Sequence, residues 1–500
     1  MLARHTTVAF EGLDARPVEV QCTVAAGMPG FSLVGLPDKA VSEARERVKA
    51  ALSELSIALP SKRITVNLSP ADLPKEGAHF DLPIALALLA ALEIVPADPV
   101  AGAVSLGEMS LDGSLVPVSG ALPAAVTAGS LEATLFCPAA CGPEAAWVDR
   151  ATVHAAPSLS AIIDHLTGSK PMDPARAARL PDVAGGPCLS EVRGQSRAKR
   201  ALEIAAAGRH HLFLMGPPGA GKSMLAERLP GLLPPLTAWE SLETSMIHSL
   251  AGTLGEGGIL QRRPFMDPHH TASQAALVGG GKGAKPGQIS LAHNGVLFLD
   301  ELPEFSRQVL EVLRQPLETG EVHVARANAH VRYPCRFLLL AAANPCRCGM
   351  LHDAARACGQ APACGAKYLD RISGPLLDRF DLRLEVPAVP IAELEHRPTG
   401  ETSAVVAARV AAARARQAAR LEGTGLVTNA DLSGAALDAH ATPDRAGAAM
   451  LSKAAERLNL SARGYHRVRK VARTIADLAD AEAVGEAHVA EALSYRIVAT

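Results

Sequence analysis

The chain has 500 residues, 48% of them apolar and 20% charged, with 49 lysines and arginines against 51 acids and a formal net charge of −2. Such values fit roughly two to four packed domains and exclude a disordered chain or a uniformly basic nucleic-acid coat. Any surface that meets a polyanion must be local, with acid elsewhere offsetting it.

The first twenty residues, MLARHTTVAFEGLDARPVEV, contain no continuous apolar segment, so no secretory signal is expected. Residues 1–168 alternate β-like runs such as ITVNLSP and ATLFCP with alanine-rich helical runs, as an α+β domain would. Within them, LPKEGAHFDLP (Leu73 to Pro83) sets a glycine turn before the apolar run Ile84–Leu92. That run stops at Glu93 and is too short for a bilayer, which predicts a buried helix and no membrane partner. Residues 169–189 are rich in Pro and Gly and read as a linker. Residues 190–390 alternate strand and helix in the manner of an α/β core, and 391–500 turn helical. In that last region Val468, Val471, Ile475 and Leu478 recur at helical spacing behind a potential cap, Ser461. Nine cysteines at uneven spacing fit reduced thiols in a cytoplasmic protein.

HLFLMGPPGAGKSMLAERL is an apolar strand, a glycine-rich loop and a helix. In the loop, Gly216, Pro217, Pro218, Gly219, Ala220, Gly221, Lys222 and Ser223 match G-x-x-x-x-G-K-S. Glycines let backbone N–H groups turn inward around the phosphates of ATP, Lys222 reaches the β- and γ-phosphates, and Ser223 ligates Mg²⁺. The strand GVLFLDELPEF ends in Asp300, suited to Mg²⁺, and Glu301, suited to polarising water. RFLLLAAANPC ends in Asn344, a neutral donor or a turn residue. Arg379, in SGPLLDRFDL, is either a surface ion-pair partner or a finger that neutralises charge on a neighbouring subunit's ATP. Arg463, in SARG, could reach the same phosphates.

Two basic segments could meet a polyanion. GGGKGAKPG lacks a strand and helix around it, so it is not a second phosphate loop; Lys282 and Lys285 suit a flexible basic loop that meets phosphates, or an ordinary surface loop. GEVHVARANAHVRYPCRF alternates as a β-hairpin with Arg326, His330 and Arg332 near its tip. An aromatic content of 3% argues against extensive base stacking, so backbone contact without sequence preference is expected. Between these motifs and the lid, Cys346, Cys348, Cys358 and Cys364 follow C-x-C-x9-C-x5-C. Four thiolates at that spacing could hold structural Zn²⁺, or stand as free thiols.

The order of Gly216–Ser223, Asp300/Glu301, Asn344, Arg379 and Arg463 resembles that of an AAA+ ATPase: Walker A, Walker B, sensor 1, arginine finger and sensor 2. The phrases LFLDELPEF, AAANPCRCG, RISGPLLDRFDL and LSARGYHRVRKVARTIADL resemble the magnesium-chelatase-like ComM/YifB family over nearly the whole chain. This resemblance implies a homo-oligomeric ring, a hexamer, with ATP at subunit interfaces. It further implies a DNA helicase that drives branch migration, on single-stranded or branched DNA, during natural transformation. The N-terminal region resembles a Lon-protease-like, ribosomal-S5-type α+β fold. His79 stands where the nucleophilic serine belongs and Leu122 near the lysine, while Lys75, Ser110, Ser114 and Ser119 fall outside the pattern. Neither replacement can perform its missing role, so proteolysis is expected to be lost. A chelatase-type motor that remodels a protein partner is the alternative reading, and a protease or unfoldase the third.

Overall fold

The structure is a computed structural model that describes residues 2–178, 186–255, 258–281, 284–325, 330–351, 357–390, 393 and 400–496. Its first unit is built on a long antiparallel pair, β1 (Leu2–Glu11) and β2 (Asp14–Ala25), in register from Leu2↔Thr23 to Glu11↔Asp14. They join β3 (Gly30–Val34), β4 (Arg63–Ser69), β5 (Ala103–Ser105), β6 (Thr134–Pro138) and β7 (Val153–Ala156). The seven strands form a mixed sheet in the order β3-β4-β2-β1-β5-β6-β7. Helix α1 (Lys39–Glu54) is capped by Asp38, whose carboxylate accepts the Val41 N–H at 2.7 Å and satisfies one of the free donors of its first turn. Helix α2 (Asp81–Ala91) is buried at every residue, as its unbroken apolar sequence predicts. At its start the buried Asp81 holds a two-bonded Arg47 (2.6 and 2.9 Å) and the Met109 N–H (3.1 Å), which pins the preceding glycine turn. Helix α3 (Ala121–Ser130) covers the far side.

The front half of the expected linker is not free chain. Ala175 donates to the Val153 carbonyl at 2.7 Å and Ala178 to that of Pro143 at 3.2 Å, so the first unit keeps hold of the chain to residue 178.

The second unit holds α4 (Ser196–Gly208), β8 (Leu212–Met215), α5 (Lys222–Arg228), α6 (Ala238–Ala251), β9 (Phe265–Met266), β10 (Gly279–Gly280) and β11 (Lys285–Pro286). It continues with β12 (Val296–Leu299), α7 (Arg314–Thr319), β13 (Glu321–Ala325), β14 (His330–Pro334), β15 (Leu338–Ala343) and β16 (Leu382–Glu385). Five of these strands make a parallel sheet ordered β9-β12-β15-β8-β16. Strands β8, β12 and β15 are buried at every residue, because helices cover both faces of the sheet; hence their continuous apolar sequences. The loops that leave the carboxyl ends of adjacent parallel strands converge, and ligand sites form there.

The third unit is helical: α8 (Ser403–Arg420), α9 (Arg445–Arg457), α10 (Ala462–Leu478) and α11 (Glu486–Ser494). Ser461 caps α10, accepting the Gly464 N–H at 3.1 Å as its position predicts. Helices α8 and α10 lie on α4, and Val406, Val410, Val468 and Ile475 share one apolar cluster with Leu202 and Ile204. Buried Asp477 ties the lid internally, accepting from Arg420 (2.7 and 2.8 Å), Arg473 (2.9 and 3.1 Å) and Asn429 (2.7 Å).

The first unit rests on the second at the β1–β2 turn. Phe10 and Leu13 pack on the apolar cluster that contains Val331 and Tyr333, and the Gly120 N–H donates to the Ser249 carbonyl at 3.2 Å. Gly12 takes a φ of +67° in that turn, and a Cβ there would lie 2.6 Å from the Arg332 carbonyl oxygen. Only glycine fits both the turn and the approach.

Candidate nucleotide site and its neighbours

Strand β8 ends in the glycine-rich loop. Gly216 lies so close to the next strand that a Cβ would meet the Val386 carbonyl at 2.1 Å, while Gly219 and Gly221 have φ of +77° and +87°. Glycines in such conformations allow a loop to turn its N–H groups toward a chain of phosphates. Lys222 is buried beneath it. Its Nζ donates to the carbonyls of Gly216 (2.7 Å) and Pro217 (3.0 Å) and to Asn344 Oδ1 (3.1 Å). Burial lowers its pKa, with Asp300 and Glu301 opposing the shift. Ser223 Oγ donates to Asp300 Oδ2 at 2.8 Å, and Asp300 Oδ1 accepts the Glu301 N–H at 2.8 Å. Two hydrogen-bonded pairs, Lys222–Asn344 and Ser223–Asp300, thus bring the ends of β15 and β12 onto adjacent residues at the start of α5.

Two further residues near these pairs, His270 and Asp267, carried no sequence motif. Glu301 adopts a left-handed φ of +50°, and its carboxylate lies 3.5 Å from His270 Nδ1. Asp267, just past β9, has its pKa raised by burial and then by Asp300 and Glu227. Carboxylates that repel one another beside a serine hydroxyl are a hard oxygen donor set, and Mg²⁺ fits it.

Arg379 and Arg463 meet elsewhere. Arg379 is 6% exposed, donates to the Pro375 carbonyl at 2.7 Å and forms an ion pair with Glu318 on α7. Arg463, 67% exposed on the first turn of α10, lies 3.9 Å from the same carboxylate. Burial lowers the Arg379 pKa; Glu318 raises it, and Arg314, Arg463 and Arg467 lower it again. Arg379 and Arg463 share the Glu318 carboxylate, and Arg314 and Arg467, paired with Glu311 and Asp381, stand near them, so guanidinium groups gather in a spot that suits phosphate. Glu318 has no signature in sequence, since its role comes from partners 61 and 145 residues away.

The cysteine segment folds against the phosphate loop. The sulfurs of Cys346, Cys348 and Cys364 all lie within 4.8 Å of one another, and Cys358 bonds through its side chain to both Cys348 and Cys364. Three sulfurs are thus near enough to share one ion, Cys358 stands beside that close set rather than in it, and thiolates of this kind suit Zn²⁺. A Cβ on Gly349 would lie 2.6 Å from Pro218, so this segment touches the loop it follows in space.

Of the DNA candidates, Lys282 and Arg326 lie outside the described residues. The hairpin expected before Asn344 is present as β13 and β14, with His330 opening the return strand opposite Ala325 and exposed Arg332 opposite His323. Lys285 differs from expectation. It sits in the β10–β11 ribbon, paired with Gly280, rather than on a free loop, and the Tyr333 hydroxyl donates to the neighbouring Ala284 carbonyl at 3.0 Å. There it lines a cavity of about 340 Å³ together with Asp38, Glu76, Glu108 and His79 of the first unit.

His79 is itself packed between Phe10 and Phe80, with Nε2 3.0 Å from the Val8 carbonyl, and burial pushes its pKa down to about 4. Leu122 is wholly buried and Lys75 fully enclosed, its ammonium on the Pro70 carbonyl. The Ser105–His5 hydrogen bond, at 2.6 Å, is a Ser–His pair in the same unit, but both side chains are buried and no peptide reaches them.

A phosphate loop, an acidic strand end and a polar sensor on adjacent parallel strands, backed by a helical lid, define an ATPase of the AAA+ class. The models for magnesium chelatase subunit ChlI match residues 188–394, 18–140 and, for its C-terminal part, 400–496. Competence protein ComM of Haemophilus influenzae is 44% identical over 494 residues, covering 98% of this chain and 96% of its own. The uncharacterized protein YifB of Salmonella typhimurium is 42% identical over 495 residues, 99% of this chain and 96% of its own. The magnesium-chelatase 38 kDa subunit of Rhodobacter capsulatus is 29% identical over 174 residues, 31% of this chain and 50% of its own. The chain therefore belongs to the magnesium-chelatase-like ComM/YifB family. No helix among the described residues is long and apolar enough to cross a membrane.

Proposed function

We propose that the protein is a ring-forming, ATP-dependent DNA translocase that drives branch migration. The observation that carries this reading is the division of the ATP machinery. Lys222, Ser223, Asp300 and Asn344 stand together while Arg379 and Arg463 meet at Glu318, so a second copy completes each site. Mg²⁺, held by Ser223 and Asp300, supplies charge neutralisation at the phosphates. Lys222 exchanges its loop carbonyls for phosphate oxygens, Glu301 takes a proton from the attacking water, and Asn344 orients that water. Arg379 and Arg463 leave Glu318 for the γ-phosphate of the adjoining protomer. Hydrolysis is transmitted to the β13–β14 hairpin through β15, which joins the hairpin to Asn344. Zn²⁺ at Cys346, Cys348, Cys358 and Cys364 braces the loop after Asn344. The first unit serves as a Lon-protease-like platform without a dyad, and a hexamer is the expected assembly.

The full-length likeness to ComM supports DNA as substrate over a porphyrin-inserting partner, since the chelatase relative matches only 31% of the chain. Its 29% identity still favours, as second reading, a motor that remodels a protein. ATP turnover should rise with forked DNA or a Holliday junction, and those substrates should be unwound, with Glu301→Gln as blank. Turnover indifferent to DNA but raised by a protein partner would select the second reading.

A further inference from the structure

Residues 377–383, which carry Arg379, are held by the lid rather than by the core alone. Arg467 Nη1 donates to the Arg379 carbonyl at 2.9 Å and pairs with Asp381, whose carboxylate also accepts the His211 N–H at 3.0 Å. Next along, Arg496 donates to the Phe380 carbonyl at 2.7 Å, and the Arg383 N–H donates to the Tyr495 carbonyl at 2.7 Å. Arg467 lies four residues after Arg463, one turn along the same face of α10. One helix therefore presents Arg463 to the Glu318 carboxylate and, a turn later, grips the backbone of the residue that pairs with that carboxylate.

We propose that Arg467 is a positioning residue that couples lid and finger, so that α10 carries Arg379 and Arg463 to the neighbouring nucleotide as one body. This rests on the reading of Arg379 as a finger acting across the interface. Arg467 is not a third finger. Its guanidinium is turned into Asp381, which is 4% exposed, and toward the main chain. Burial alone would raise the Asp381 pKa, but Arg467 and then His210 outweigh it and hold the carboxyl well below the usual range. A single guanidinium nitrogen, Nη1, thus bridges the Asp381 carboxylate and the Arg379 carbonyl. Lysine keeps the charge but carries it on a compact, strongly hydrated ammonium in place of the planar guanidinium.

The test uses full-length Arg467→Ala, Arg467→Lys, Arg379→Ala and Glu301→Gln chains, singly and mixed in pairs. Arg467→Ala should lower kcat for ATP about tenfold or more while KM and nucleotide Kd move less than about threefold, the pattern of a lost transition-state interaction. Arg467→Lys should show a smaller deficit of the same kind and guards against an alanine variant that does not fold. Mixing either Arg467 variant with Glu301→Gln should restore turnover, because the Glu301→Gln chain lends an intact finger to a site with an intact glutamate. Wild-type kcat in Arg467→Ala would overturn the proposal. So would rescue of Arg379→Ala by Glu301→Gln when the Arg467 variants are not rescued. If Arg379→Ala itself is not rescued, the finger reading falls first and the coupling with it.

Discussion

Glu301 sits in a left-handed backbone conformation, which costs a side-chain-bearing residue about 1–3 kcal/mol, and its half-exposed carboxylate lies 3.5 Å from His270. Strain of this kind at the end of an acidic strand marks the residue whose position matters to the reaction. Glu301→Gln should bind ATP with unchanged affinity yet lose about 100-fold or more in turnover, the range for removing a general base. Lys222→Ala should instead abolish nucleotide binding, read by a fluorescent ATP analogue; equal affinity in the two variants would contradict these roles. The buried histidines give a second expectation. Burial pushes His5 and His79 each down to about 4, against about 6.5 in an unfolded chain. The unfolded chain therefore binds more protons between those values. Their contribution to stability is complete above about pH 6.5 and declines as pH falls toward 4. Urea midpoints from pH 7.5 to 4.5 should drop accordingly, and less steeply in His79→Gln. At this scale the sequence was readable where chemistry is contiguous: residues 216–223 are neighbours in chain and in space. Glu318, His270 and Arg467 act through partners far along the chain, and no spacing rule reaches them.

Among the elements, β8, β12 and β15 were legible because both faces are covered, which forces an uninterrupted apolar run. Strand β9, two residues long, and the β10–β11 ribbon were not, because pairing with neighbours rather than local preference creates them. That difference turned an expected free loop at Lys285 into a ribbon under the first unit. The cysteine loop makes its own prediction. Purified tag-free protein should contain zinc, and Cys364→Ser or a strong chelator should release it. Because this loop touches Pro218, metal loss should also weaken ATP affinity several-fold; zinc-free protein with native affinity would separate the two features.

For the whole molecule, the sequence changes pattern along the chain, but that pattern announces neither the hold of the first unit on residues 175 and 178 nor the contacts between the units. The seat of the first unit on the hairpin depends on Gly12, Phe10 and Leu13, none of which stands out in sequence. Gly12→Val should loosen that seat, adding a methyl-sized clash with the Arg332 carbonyl in a turn that disfavours side chains. The expected result is faster proteolysis between residues 169 and 189 with ATP binding retained; unchanged cleavage would mean the turn is not what joins the units.

Gly12 is fitted to the backbone of the β13–β14 hairpin, which we propose meets DNA. If that hairpin moves during ATP turnover, the amino-terminal unit must either ride along or let go. A shortened protein starting at residue 190 would lose the cover that Phe10 and Leu13 place over Val331 and Tyr333, so it would be a stickier and differently geared machine rather than a smaller copy of this one.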